Sequence, residues 1–425
     1  MQKGIFVGDD KTADTGLVSV SLPVWWTFGA LVAGLGLGWS LSNSDLIGPL
    51  LKVVEPVGTL WLRALQMTII PLVAALLVVG VAQMAQAARA GKAARRMLML
   101  VALVLVASGL VAAIFMPMLL AALPIPEAAS SMLATGVPQT PRLPGIDDFV
   151  TSLIAPNVIA AAAETAMLPL TIFFALFAVA VTRLPEGQGA VMLSFFTGLA
   201  NTMLVLIGWV LKLAPIGVFA LAAGVAARAG GGAVATLVHY ILTVSAMGAI
   251  VWLGAYGVAM LAGRVAPLRF VRAILPAQAV AISTQSSLAS LPAMLDSAHR
   301  LGLRESTSDF VLPLAVAIFR ATSPAMNMAV AIYVATLAGV ELTPLTLAAG
   351  IAVALVISIG SVSLPGSISF VVSIGPVAIA MGAPVAPLAL LVAVEMLPDI
   401  MRTLGNVTMN VAVTSAVDRG VSAEK

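Results

Sequence analysis

Apolar positions in this chain neither alternate nor recur at helical spacing; they run on. Charge-free stretches cover residues 23–43, 64–88, 97–126, 165–182, 187–211 and 229–263. A hydrocarbon layer about 30 Å thick takes roughly 20 helical residues to cross, so each of these reads as a membrane-spanning helix. Helices are expected because a span in lipid must satisfy its own backbone hydrogen bonds. Residues 213–227 prolong the fifth span past a bend at Pro215, and the Pro- and Ser-rich stretch 127–157 reads as an external loop.

Two later stretches depart from this pattern. Residues 273–295 are apolar at both ends but broken by Ser283-Thr284-Gln285-Ser286-Ser287, and 343–384 are broken by the Ser- and Gly-rich run 358–369. Each half is too short to cross, so both are predicted to be re-entrant helical hairpins, with a crossing at 310–340 between them. The last span, 385–417, carries Glu395, Asp399, Arg402, Thr403, Asn406 and Asn410 at spacings of three and four, which puts them on one helix face. A charge at the bilayer centre costs about 2.5–3.5 kcal/mol on insertion scales, so these charges point to function. The expected fold is all-α and integral to the membrane, with eight crossings and two hairpins.

Composition agrees. Of 425 residues, 61% are hydrophobic and 9% charged, against about 25% charged in soluble domains. The net charge of +3 comes from clusters between spans, Arg89, Lys92, Arg95 and Arg96 after the second and Arg264, Arg269 and Arg272 after the sixth. Such clusters mark cytoplasmic loops, so both termini are expected in the cytoplasm, and nucleic-acid binding is not indicated. With no Cys and two His, disulfides and thiol catalysis are excluded and a His-based metal site is disfavoured. No bound cofactor is expected. The first 16 residues lack the pattern of a cleaved signal, so they are expected to form a cytoplasmic tail ahead of an uncleaved first span. One membrane transporter domain is expected over 17–425, its last residues, 418–425, forming a second cytoplasmic tail.

Four motifs together resemble the glutamate transporter family, the dicarboxylate/amino acid:cation symporters. They are Ala214-Pro-Ile-Gly-Val-Phe-Ala-Leu221, Ser286-Ser-Leu-Ala-Ser-Leu-Pro292, Leu364-Pro-Gly366 and Asp399-Ile-Met-Arg-Thr-Leu-Gly-Asn-Val-Thr408. The resemblance covers the chain end to end. It implies a homotrimer in a bacterial-type inner membrane, working by an elevator-like shift of a transport domain (within about 64–126, 153–184 and 270–418) against a scaffold (within about 17–126 and 187–263). It also implies that Asp399 meets a substrate ammonium, that Arg402 meets its side-chain carboxylate, and that Thr403 and Asn406 complete the cradle. Ser286, Ser287, Pro365 and Gly366 would contribute from the hairpin tips.

The departures concern the cation. Where the family carries Asn-Met-Asp-Gly-Thr, a gapless alignment places Phe319-Arg-Ala-Thr-Ser323, and a sodium-ligand Asp is replaced by Asn410. The third-span oxygen cluster becomes Val101, Val104 and Leu105. Placing Asn327-Met328 on the motif instead needs a gap and leaves Ala329 where the Asp belongs. Sodium wants oxygen ligands and negative charge, so coupling is expected to use a proton, or none, with Arg320 as a fixed charge in place of a cation and Ser323 beside it. Glu395 or Asp399 is the candidate proton carrier. The expected solute is aspartate, glutamate or a C4-dicarboxylate, the amino acid being favoured because Asp399 suits an ammonium.

Blander readings stand beside these. Asp399 and Arg402 form an i,i+3 pair that would neutralise two buried charges, Arg320 would serve a structural carboxylate or carbonyl, and His239 would be a helix-packing hydrogen bonder. A sodium-independent exchanger or an anion channel is the alternative function, although no ring of like charges is evident. An intramembrane hydrolase is disfavoured because His239 and His299 lie outside the hairpins.

Overall fold

The computed structural model describes residues 24–42, 44–89, 91–126, 151, 153–229, 232–360 and 366–423. The expected tail 1–16, most of the loop 127–157 and Pro365 at the second hairpin tip lie outside them. The described residues are helical and contain no strand.

Among the described residues, five stretches are long and apolar enough to cross a membrane: Ile47–Ala85, Lys92–Ala122, Glu186–Lys212, Val234–Leu261 and Glu305–Leu337. Shorter apolar helices accompany them. The first helix, α1 (Val24–Leu41), lies along α8 (Ala214–Ala229). The contact depends on Gly34 and Gly38: a Cβ at the first would sit 2.5 Å from the Phe219 carbonyl oxygen, and at the second 2.3 Å from that of Ala223. Small residues four apart let two backbones approach this closely, as membrane helices do where lipid gives no hydrophobic drive to associate.

Helix α2 (Ile47–Gln66) also packs on α8 and leads, past a turn at Met67-Thr68, into α3 (Ile69–Arg89). The expected second span, starting at 64, is therefore too short at its front. Lys52 and Arg63 interrupt the apolar run, yet both are exposed on an amphipathic helix whose other face buries Val54 and Trp61. The indole Nε1 of Trp61 donates to the carbonyl oxygen of Val210 in α7 (Glu186–Lys212) at 2.9 Å, tying the two helices.

Helix α4 (Lys92–Ala122) follows, then the short α5 (Val158–Ala163), capped by Asn157, and α6 (Met167–Val181). Helix α9 (Gly232–Leu261) leads into a pair, α10 (Pro267–Thr284) and α11 (Leu291–Leu301), which pack on each other across the turn Gln285–Ser290. Gln285 ends α10 in the left-handed conformation, at φ 50°, which closes the turn. These are the residues expected to form the first hairpin.

The crossing at 310–340 is two helices, α12 (Glu305–Ile318) and α13 (Ser323–Leu337), with irregular backbone at Phe319–Thr322. Every residue from Ser323 to Ala335 is buried. Helices α14 (Pro344–Gly360) and α15 (Gly366–Ala380) pack together, as the second hairpin requires, and α16 (Leu388–Leu391) precedes α17 (Met396–Ala423).

The last span thus begins later than expected, at Met396 instead of 385. The helix also continues through Ala423, where a tail was expected from 418. Arg304 holds that end: its Nε reaches the Asp418 carboxylate at 2.8 Å and its Nη2 donates to the Asp418 carbonyl oxygen at 2.7 Å. Helix α17 is wrapped by α4, α9, α10, α11 and α12, and with α13 it forms the centre of the molecule.

Candidate functional site

The polar face read from the sequence is buried at this centre. Exposure is 1% for Glu395, 6% for Asp399, 5% for Arg402 and Thr403, 3% for Asn406 and 0% for Asn410. Glu395 lies in the turn before α17 and Asp399 in its first turn, where the helix dipole favours negative charge.

Arg402 is the hub. Its Nη2 contacts Glu395 Oε1 at 2.7 Å, its Nε lies 3.3 Å from Asp399 Oδ1, and its Nη1 donates to Asn327 Oδ1 at 3.0 Å. The second oxygen of Glu395 accepts from the Tyr240 hydroxyl of α9 at 3.2 Å, and Asn327 Nδ2 donates to Ser323 Oγ at 3.1 Å. The guanidinium N–H groups are therefore met by three acceptors, from α17, the turn before it and α13.

Asn406 anchors a neighbouring stretch of backbone. Its Oδ1 accepts from the Thr322 backbone N–H at 3.0 Å and from the Thr322 hydroxyl at 2.9 Å, and the same hydroxyl lies 3.1 Å from the Arg402 carbonyl oxygen. These bonds satisfy the irregular backbone between α12 and α13, which at this depth has no water to turn to. Gly405 lets Thr322 approach: a Cβ there would sit 2.4 Å from Thr322 Cγ2.

Arg320 lies in the break anchored by Asn406. Its Nε is buried and has no hydrogen-bond partner among the described residues. The amide of Asn410 is likewise buried with both atoms unpartnered. Arg96 Nε, Trp252 Nε1 and Ser373 Oγ are also buried without a partner among the described residues, so such atoms are not confined to this face. Val101, Val104 and Leu105 are buried on α4 and offer no side-chain oxygen. Among the described residues no three His, Asp or Glu side chains come together as a metal site would need.

Gln278 Nε2 donates to Thr408 Oγ1 at 3.0 Å, and Gly263, in the loop before α10, faces Ser415. Helix α10 therefore packs along α17 and ends in the turn that carries Ser286 and Ser287. Ser286 and Ser287 are half-buried there; Ser286 Oγ accepts from the Ala289 N–H at 3.2 Å, closing the turn locally. Gly366 opens α15, and Pro365 lies outside the described residues.

Three members of the network were not singled out from sequence: Tyr240, Thr322 and, as a ligand of the hub, Asn327. The readable signal for Asn327 was an amide within an otherwise apolar helix, four residues after Ser323. His239 stands apart. Its Nε2 is 3.0 Å from the Leu123 carbonyl oxygen and its Nδ1 3.2 Å from the Tyr333 hydroxyl, so it ties α9 to α4 and α13.

The chain is similar to known proteins over most of its length. The model of the sodium:dicarboxylate symporter family matches residues 24–420. The chain is 28% identical to the proton/glutamate-aspartate symporter of Escherichia coli (strain K12) over 398 residues, 91% of this chain and 90% of that one. It is 27% identical to the proton/sodium-glutamate symport protein of Bacillus caldotenax over 394 residues, 91% of each chain. With the C4-dicarboxylate transport protein of Leptothrix cholodnii it shares 24% over 396 residues, 92% of this chain and 86% of the other.

Proposed function

Because the chain belongs to the sodium:dicarboxylate symporter family, whose members are transporters and not enzymes, we propose that it carries an acidic amino acid or C4-dicarboxylate across a bacterial inner membrane with a proton as the coupling ion. The observation that carries the reading is the Arg402 fork, buried on α17 beside a carboxylate, Asp399, that suits an ammonium. A guanidinium presents parallel N–H donors matched to a carboxylate, and burial strengthens the pair. Relatives named for glutamate, for glutamate and aspartate, and for C4-dicarboxylates support that solute class.

A proton is favoured over sodium by what stands at the family's ligand positions. Phe319, Arg320 and Ala321 bring no carboxylate, Asn410 is uncharged, and Val101, Val104 and Leu105 are apolar. Hard cations need a shell of oxygens, whereas a proton needs a single carboxylate. The protomer is read as eight crossings and two re-entrant hairpins with both termini in the cytoplasm, assembled as a trimer. Helix α9, expected with the scaffold, packs along α17, so it is read with the other helices around α17 and α13 as the part that moves in an elevator-type cycle against α1, α2, α7 and α8.

The test is uptake of radiolabelled aspartate, glutamate and succinate into proteoliposomes, with Arg402→Gln alongside. A lost charge-assisted pair weakens acidic solutes by roughly 100-fold. Equal loss for neutral and acidic solutes would assign Arg402 to folding, and no uptake of any acidic solute by the native protein would overturn the solute class.

A further inference from the structure

Three helices meet at His239, away from the Arg402 hub. The imidazole Nε2 of this α9 residue lies 3.0 Å from the carbonyl oxygen of Leu123, which closes α4, and Nδ1 lies 3.2 Å from the hydroxyl of Tyr333, towards the end of α13. That hydroxyl has a second partner, the Thr236 carbonyl oxygen of α9, also at 3.2 Å. We propose that His239 is a proton-sensitive staple: the charge on its ring decides which way the Tyr333 hydroxyl points and how firmly α4, α9 and α13 are held together. The staple sits at the end of α4 opposite Lys92, Arg95 and Arg96, so on the topology read above it lies towards the external side.

A carbonyl oxygen only accepts, so Nε2 carries a hydrogen in either state. In the neutral ring Nδ1 is then bare and meets Tyr333 as an acceptor. The Tyr333 hydrogen is used on the ring, and the Thr236 oxygen receives none from it. A proton taken from water onto Nδ1 reverses that contact. The ring now donates to the Tyr333 oxygen, and the hydroxyl hydrogen turns to Thr236, whose carbonyl has a second lone pair beside the one used within α9. Two hydrogen bonds become three, and no donor is stranded in either state. The added charge lies against the negative end of the α4 dipole, at the last carbonyls of the helix.

The elements around the staple bring little charge of their own. There is no charged side chain in α4 from 97 to 122, in α13, or in α9. Of the other helices packed on α9, α8 carries Arg228, α10 carries Arg269 and Arg272, and α17 carries Asp399, Arg402, Asp418 and Arg419. The titratable groups in the contact itself are Tyr333 and, edge-on to its ring at 5.3 Å, Tyr240. Tyr240 follows His239 in the chain and donates to Glu395, while α13 also carries Asn327, which accepts from Arg402. The staple therefore braces, from one end, the two helices that hold Tyr240 and Asn327 against the hub. Tightening it tightens the site without a place in the site.

The experiment compares the full-length native protein in detergent with His239→Gln, Tyr333→Phe and the double variant between about pH 5.5 and 8.5, across the range where imidazole ordinarily changes charge. Glutamine keeps one donor and one acceptor but takes no proton, so it holds the neutral arrangement throughout. Thermal midpoint and aspartate affinity are read for each, the second resting on the acidic-solute reading. At the acid end the native protein melts a few degrees above His239→Gln and binds aspartate roughly 2- to 10-fold tighter, the effect of about one hydrogen bond. At the alkaline end the two agree. In the Tyr333→Phe background, which has no hydroxyl to turn, His239→Gln makes a difference that no longer grows towards acid.

A difference between native and His239→Gln that is the same at every pH assigns His239 to packing alone and overturns the proposal. So does an acid-dependent difference that survives in Tyr333→Phe, because the proton then acts by another route. Should His239→Gln not fold, native against Tyr333→Phe decides: a gap in thermal midpoint that widens towards acid supports the staple, and a constant gap overturns it. The thermal comparison uses no solute, so failure to bind aspartate would count against the transport reading while the staple is judged by its midpoints.

Discussion

At the scale of single residues, Arg402 is costly to bury and is held by three acceptors, Glu395, Asp399 and Asn327. Asn327 is the neutral one, so its replacement probes the hydrogen bond without changing the charge count. Asn327→Ala leaves a guanidinium N–H unpaired in the interior, at about 1–3 kcal/mol. The expected result is weaker binding of acidic solutes by roughly 10- to 100-fold, with an unchanged number of protons taken up per solute, read by titration calorimetry in buffers of different ionisation enthalpy. Residue-scale legibility was uneven for a physical reason. Glu395, Asp399, Arg402 and Asn406 announce themselves because helical spacing gathers them on one face of one helix. Tyr240, Thr322 and Asn327 come from other elements, and only the tertiary approach of α9 and α13 to α17 decides that they meet.

At the scale of elements, the irregular backbone at Phe319–Thr322 and the close pairing of α1 with α8 are the two features that do most to shape the molecule. The first was not read from the sequence, where 310–340 stands as a single crossing although Arg320 and Thr322 interrupt its apolar run; its anchor, Asn406, was visible as a polar residue on the last helix. That Asn406 serves the backbone of Thr322 was not, because an amide on a binding face and an amide on a neighbouring loop look alike in one dimension. Helix ends were misjudged wherever charge was used as a stop signal. Lys52 and Arg63 sit on an exposed face of α2, and Asp418 continues α17 because Arg304 neutralises it. The α1 and α8 contact yields a clear expectation. Gly38→Leu drives a side chain into the Ala223 carbonyl and the Ala226 Cβ, 2.3 and 2.9 Å from the new Cβ. The thermal midpoint in detergent falls by several degrees, while solute affinity, set 364 positions along the chain at Arg402, stays as it was. Altered affinity at unchanged stability would mean that α1 reports on the site directly.

At the scale of the whole molecule, an apolar exterior surrounds a polar centre. Trp26, Trp39, Leu103, Met118 and Trp209 are exposed on outer helices, with exposures of 61–78% at those positions, whereas the charged cluster is closed off within. In water such an arrangement would aggregate; in lipid it is the stable one. The hydropathy pattern made this inversion plain, and the paired interrupted hairpins indicated where the centre would be. The coupling ion rests on finer differences: oxygen ligands replaced by Phe319, Ala321, Val101, Val104 and Leu105, a carboxylate replaced by Asn410, and a positive charge added at Arg320. The proposed function has such a carrier move an acidic solute with protons and without sodium. The most direct measurement is accumulation of radiolabelled aspartate in proteoliposomes under an imposed inward proton gradient in sodium-free buffer. Accumulation above equilibrium that collapses with a protonophore and is unchanged by added sodium is the predicted result. Uptake that appears only with sodium, whatever the proton gradient, would contradict it.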